Sequence, residues 1–174
     1  MIDDPRVITL ERWDARAFHV MPCPFRVDLP LDMSGCIASA LHDAMRAGHR
    51  RVPRGQILAS DRDPNAVGAA RSRREGAIFV EVEPSEDRAL AWIEGDVLVR
   101  ALPARATPLR PEVTELLRWS EELGHDVDGF YVGFVAGEGP RAFRPARLLA
   151  ALDGGPVVET FEVRTPRRTF AQHA

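Results

Sequence analysis

Apolar and polar positions change rhythm along this chain, and the changes mark out short strands and amphipathic helices. Phe25 to Leu31 reads as a first strand. From Ser34 to Ala47 the apolar residues Ile37, Leu41 and Met45 recur on one face of a helix, and Gly48 ends it. Ile57 to Ser60 predicts a second strand and Pro64 to Arg74 a second helix, opened by its proline and stopped by Gly76. Ala77 to Glu83 predicts a third strand, and Glu86 to Trp92 a short helix at most. Asp96 to Leu102 is apolar on both faces, as a central strand is, and Pro103 ends it. Pro111 to Leu123 is a helix with Val113, Leu116, Leu117, Trp119 and Leu123 inward, acids Glu112 and Glu115 early, and Gly124 as its stop. Gly129 to Val135 predicts a strand and Arg144 to Leu152 a helix, and Val157 to Val163 is a last strand beyond Gly154-Gly155-Pro156. Val7 to Val20 reads either as a strand or as a hairpin leading into the sheet.

Strands alternating with helices predict βαβ units, and so an α/β fold with a mostly parallel, Rossmann-like sheet and helices on both faces. A chain of 174 residues with 45% hydrophobic residues can bury one full core, which predicts a single domain. Residues 1–24 then form an N-terminal extension, 25–165 the core and 166–174 a tail.

Composition narrows the function classes. All 23 basic residues are arginine, against 26 acidic ones, and the net charge of -3 gives no overall basic signal for nucleic acid. Arginines do cluster at Arg50, Arg51 and Arg54, at Arg71, Arg73 and Arg74, and at Arg164, Arg167 and Arg168, where their forks suit phosphates. The two cysteines, Cys23 and Cys36, lack the spacing of a metal site or a disulfide framework, which predicts no metal and fits a reducing cytoplasm. His42, His49 and His125 are isolated from any partner spacing of a nucleophile-base pair or a metal site. With no leader-like segment and no apolar run of membrane length, a soluble cytoplasmic protein off the membrane is expected.

The segment from Gln56 to Arg71 carries the most chemistry. A short apolar strand ends at Asp61, and Ser60 or Asp63 can cap the helix that Pro64 opens. A carboxylate so placed can accept hydrogen bonds from both hydroxyls of a ribose. This strand, acid and proline-started helix, with its run Ala66-Val67-Gly68-Ala69-Ala70-Arg71, resembles the second-strand segment of class I S-adenosylmethionine-dependent methyltransferases. The resemblance implies S-adenosylmethionine as cofactor, with Asp61 on its ribose, the turn at Ser34-Gly35 near its methionine part and Glu83 or Glu81 near the adenine. It also implies methyl transfer to RNA or a small molecule, with Arg100, Pro103 and Arg105 on the substrate side. Gly35 is the single glycine where that class carries a glycine-rich loop.

That thin glycine loop keeps a non-catalytic alternative open: a methyltransferase-like fold without cofactor, acting as a partner subunit. A second binding reading comes from Pro111 to Phe134, where a helix leads to Asp128-Gly129-Phe130. This stretch resembles the last helix and aromatic strand of the RraB-like regulators of ribonuclease E, which implies a protein-binding module.

Overall fold

The structure, a computed structural model, describes residues 7–25, 32–61, 76–86, 89–103, 109–137, 143–152, 162–163 and 168–171. Its elements are β1 (Val7–Pro22), α1 (Ser34–Arg46), β2 (Ile57–Ser60), β3 (Ala77–Val82), β4 (Ala91–Ala101), α2 (Arg110–Glu122), β5 (Val127–Ala136), β6 (Phe143–Leu152), β7 (Glu162–Val163) and β8 (Arg168–Ala171). Both helices stand where the apolar spacing places them. Their inward faces differ in part from the expected ones: Ile37, Ala40 and Ala44 of α1 and Leu116 and Ser120 of α2 are buried, whereas Met45 and Leu117, expected inward, are exposed. Each helix ends at a glycine in the left-handed region, Gly48 at φ +83° and Gly124 at φ +75°.

The sheet overturns the expected fold. Among the described residues every strand pairing is antiparallel, and six strands close into a ring in the order β3-β2-β5-β6-β4-β1 and back to β3. The protein is a small antiparallel β-barrel with two helices, not a parallel Rossmann-like α/β sheet, and it is not methyltransferase-like. The alternation that predicted βαβ units has a physical counterpart here. β1 and β2 both pair antiparallel with β3 and so run parallel to each other, with α1 as their crossover. β3 is inserted between them. The second half repeats the device, since β4 and β5 flank β6 and α2 crosses between them. A linear reading sees strand, helix, strand, and it cannot see the third strand that returns to separate them.

Other expectations also change. Val7 to Val20 belongs to one long strand, β1, rather than to an extension outside the core. Arg144 to Leu152, rich in the helix formers Arg, Ala and Leu, is the strand β6: Leu148 to Leu152 are all buried, so contacts on both faces outweigh propensity. Ala91 and Trp92 open β4 instead of closing a short helix. The helix at Pro64 to Arg74, Arg26 to Leu31 of the expected first strand, and Val157 to Phe161 of the last one lie outside the described residues.

The two faces of the sheet bury different side chains. The outer face, with Ile57, Ala59, Ile78, Val80, Leu98 and Leu148, packs against α1 and α2. The inner face gathers Trp13, Phe18, Leu58, Phe79, Val97, Val99, Tyr131 and Leu149 and takes nothing from either helix. The Phe79 ring lies edge-on to Phe18 at 6.2 Å and to Tyr131 at 5.5 Å. A ring of six strands is narrow enough for such side chains to fill, and each buried one contributes on the order of 1.5–3 kcal/mol.

β1 holds this arrangement together. One of its edges pairs with β4 from Ile8 to Phe18, and the other is divided among β8 at Val7–Leu10, β7 at Trp13–Ala15 and β3 at Ala17–Pro22. The β4 pairing slips between Trp13, opposite Gly95, and Arg16, opposite Ile93. That bulge reverses the strand's alternation. Trp13 is inward before it, and Phe18 and Val20 are inward after it, so Arg16 joins Trp13 on the inner face.

Candidate functional site

The bulge creates the most densely connected polar group on the inner face, at the barrel end where β2 begins and β3 ends. Trp13 Nε1 donates to Glu11 Oε2 at 2.7 Å. Arg147 Nη1 of β6 lies 3.6 Å from Glu11 Oε1, and its Nη2 donates to Gln56 Oε1. The backbone N–H of Gln56 donates to Glu81 Oε2 at 2.6 Å. Arg16 Nη1 donates to the same oxygen at 3.4 Å, and the Arg16 guanidinium stacks 4.7 Å from the centroid of the Trp13 ring. The contacts therefore form a closed circuit through Glu11, Trp13, Arg16, Glu81, Gln56 and Arg147.

Charge balance explains why the circuit is complete. Two carboxylates face two guanidinium groups, and a buried charge left without a partner costs several kcal/mol. The Glu81 side chain is only 9% exposed, whereas Arg16 is 34% exposed. Glu81 is thus the fixed member, held by a backbone N–H, and Arg16 is the member that solvent reaches. An aromatic face beside a desolvated carboxylate is a seat for a cation. Here the chain's own guanidinium occupies it. The circuit contains no hydroxyl, thiol or imidazole, and each of its carboxylates already accepts from a neighbouring donor: Glu11 from Trp13, Glu81 from Gln56 and Arg16.

The residues singled out from sequence lie elsewhere. Ser34 opens α1, and its Oγ lies 3.4 Å from both the carbonyl oxygen, to which it donates, and the N–H of Phe143, so it ties the helix to β6. Gly35 faces open space, where an added Cβ would meet nothing within 4 Å. Asp61 follows β2 and Glu83 follows β3, and because these strands run antiparallel the two acids sit at opposite ends of the pair. A parallel sheet would have set both at one end. Glu83 lies 3.7 Å from Arg50 at the surface. Arg100 points outward to Glu115 of α2, Pro103 is exposed after β4, and Arg105 lies outside the described residues. The structure brings none of the described ones into the polar circuit.

Glu81, named beside Glu83, is the one member that sequence reading touched. Glu11, Trp13, Arg16, Gln56 and Arg147 were missed. Their signal is charge on strand positions that should be apolar: Glu11 and Arg147 share the inward phase of Trp13 and Leu149. Arg16 gives no such signal, since simple alternation from Trp13 places it outside.

Two other groupings are less enclosed. A hollow on α2 is lined by Arg110, Pro111, Thr114, Glu115 and Arg118, all from that one helix. His19 Nε2 lies 2.8 Å from Asp43 Oδ2 of α1, with the ring of His49 5.3 Å away. Among the described residues no three His, Cys, Asp or Glu side chains gather as a metal site, and no helix is long and apolar enough to cross a membrane.

No protein-family model matches the chain, and no curated protein matches it. Among solved structures it is similar to the C-terminal domain of EcmrR, at a TM-score of 0.60 and 12% identity over 88% of this chain and 99% of that one. An uncharacterized conserved protein from Listeria innocua aligns at a TM-score of 0.49 and 8% identity over 85% of this chain and 93% of its own. At these identities the EcmrR likeness establishes the fold alone, a helix-flanked antiparallel barrel.

Proposed function

We propose that this chain is a non-catalytic binding domain of a regulatory kind, which takes a small organic cation with an aromatic or apolar body at the polar end of its barrel. The resemblance that carried methyl transfer went with the parallel sheet, and the likeness to a regulator's C-terminal domain favours binding over catalysis. One observation carries the ligand class: Arg16 stacks on Trp13 while paired with the nearly buried Glu81. A guanidinium on a tether mimics the ligand it would yield to. Its contact with Glu81 is long at 3.4 Å and its side chain is 34% exposed, so it can swing out into solvent. The same likeness makes a protein partner, to which ligand occupancy is passed on, part of this reading.

Isothermal calorimetry with benzyltriethylammonium, and with benzenesulfonate as its anionic counterpart, tests the reading. The cation should bind and the anion should not. Arg16→Ala should tighten cation binding about tenfold by removing the tethered competitor, and Glu81→Gln, which keeps an acceptor for the Gln56 N–H, should weaken it about tenfold or more. Equal binding of cation and anion, or weaker cation binding in Arg16→Ala, would overturn it.

A further inference from the structure

Glu11 and Trp13 stand two residues apart on β1, so their side chains are neighbours on the inner face of the barrel. The indole is buried, and a buried indole N–H needs an acceptor. Here the acceptor is a carboxylate oxygen at 2.7 Å, the short end of the range for a charge-assisted bond. Direction separates the two contacts of the ring. The N–H lies in the plane of the indole, so Glu11 Oε2 stands off the ring's edge, whereas the Arg16 guanidinium lies over its face, 4.7 Å from the centroid. A cation on the face and a carboxylate at the edge therefore do not compete. Arg147 Nη1 lies 3.6 Å from the other oxygen of Glu11, which leaves Oε2 to the indole. The Glu11 side chain is only 14% exposed, and a carboxylate with little water around it polarises its donors more strongly than an exposed one.

We propose that Glu11 sets the selectivity of the site for cations by acting through the Trp13 N–H, an inference that rests on the reading of the site as a cation seat. When an indole N–H donates to an anion, the N–H bond polarises and electron density moves from the nitrogen into the ring. The face becomes more negative, and a cation above it is held by its attraction to that face. A neutral ligand gains nothing from the change and an anion is repelled, so the bond at the ring's edge raises discrimination by charge as well as affinity. In the free chain Arg16 profits from it, and a ligand that displaces Arg16 inherits the same face. The two carboxylates thus have different tasks. Glu81 meets the cation directly, and Glu11 is a positioning residue whose effect passes through the indole.

A double-mutant cycle on the full chain tests this, with benzyltriethylammonium as the probe and calorimetry as the readout. One change is Glu11→Gln, which keeps an acceptor for the N–H and removes its charge. The other replaces Trp13 by β-(3-benzothienyl)alanine, which keeps the shape of the ring and has no N–H. Glu11→Gln should weaken cation binding about fivefold in the tryptophan chain and change nothing further in the benzothienyl chain. In ultraviolet resonance Raman spectra the indole N–H band should move towards that of a weaker hydrogen bond in Glu11→Gln and stay in place in Arg16→Ala. A fivefold loss that persists in the benzothienyl chain, or cation binding unmoved by Glu11→Gln, would overturn the proposal and leave the cation seat standing. No binding of the cation to the unmutated chain would overturn the seat and this proposal with it.

Discussion

The two halves of the barrel share one plan and differ in what they turn inward. β1-α1-β2-β3 and β4-α2-β5-β6 follow the same order of strand, helix and two strands, and each fills one continuous side of the ring. The helix ends match in detail. Met33 and Leu109 are buried just before the first turns and accept from Ile37 and Val113, and past the last turns His49 and His125 donate to Ala44 and Ser120. Each of those histidines follows the glycine stop. The inner faces do not match. Of the circuit's described members, the first half supplies Glu11, Trp13, Arg16, Gln56 and Glu81 and the second supplies Arg147. The repeated part is scaffold and the unrepeated part is site, so a ligand there meets an asymmetric surface despite the doubled architecture.

The sharpest test of the shared scaffold is a pair of changes at matching seats. Leu116→Ala should cost about 3 kcal/mol by leaving a cavity under α2, whereas Ala40→Leu, the corresponding position of α1, should cost about 1–3 kcal/mol by overfilling a seat shaped for alanine. Both are read by urea denaturation, and a neutral Ala40→Leu would show that α1 does not sit as closely on the sheet. Smaller effects should separate the polar links between strand and helix. Arg100 and Glu115 are 12% and 24% exposed, so Glu115→Ala should cost about 1–2 kcal/mol. Asp43, which meets His19, is 53% exposed, and Asp43→Ala should cost less than about 0.5 kcal/mol in the same assay. Equal losses would break that contrast. The finest comparison is Gly48→Ala against Gly124→Ala. Neither site crowds an added Cβ, so each change should cost about 1 kcal/mol of backbone strain, and the two melting shifts should agree.

The scaffold was legible because its signals are local. Ile37, Leu116 and the glycines after each helix are placed by the geometry of one element, so both helices and most strands could be read directly, although the small Ala40, Ala44 and Ser120 are buried where Met45 and Leu117 were expected inward. Strand direction is not local. It depends on β3 and β6 returning between the strands that each helix joins, and no residue of α1 or α2 records that. β6 shows the same limit, since its run Arg147-Leu148-Leu149-Ala150-Ala151 suits a helix until neighbours bury it on both faces. The site was the least legible part, because a bulge between Trp13 and Arg16 reverses the alternation on which any inward assignment rests. A candidate built on the carboxyl edge of a parallel sheet, with Asp61 at its centre, could only look in the wrong place.

The shared edge of β1 has a consequence for assembly during synthesis. A strand of 16 residues with one bare flank is a template on which other chains can add themselves, and proteins generally blunt such flanks. Here β3 covers one stretch and the short strands β7 and β8 cover the rest. Because β7 and β8 follow every barrel strand in the chain, the flank stays open on the ribosome until they emerge. The cap that keeps neighbouring nascent chains apart is made only after the whole barrel.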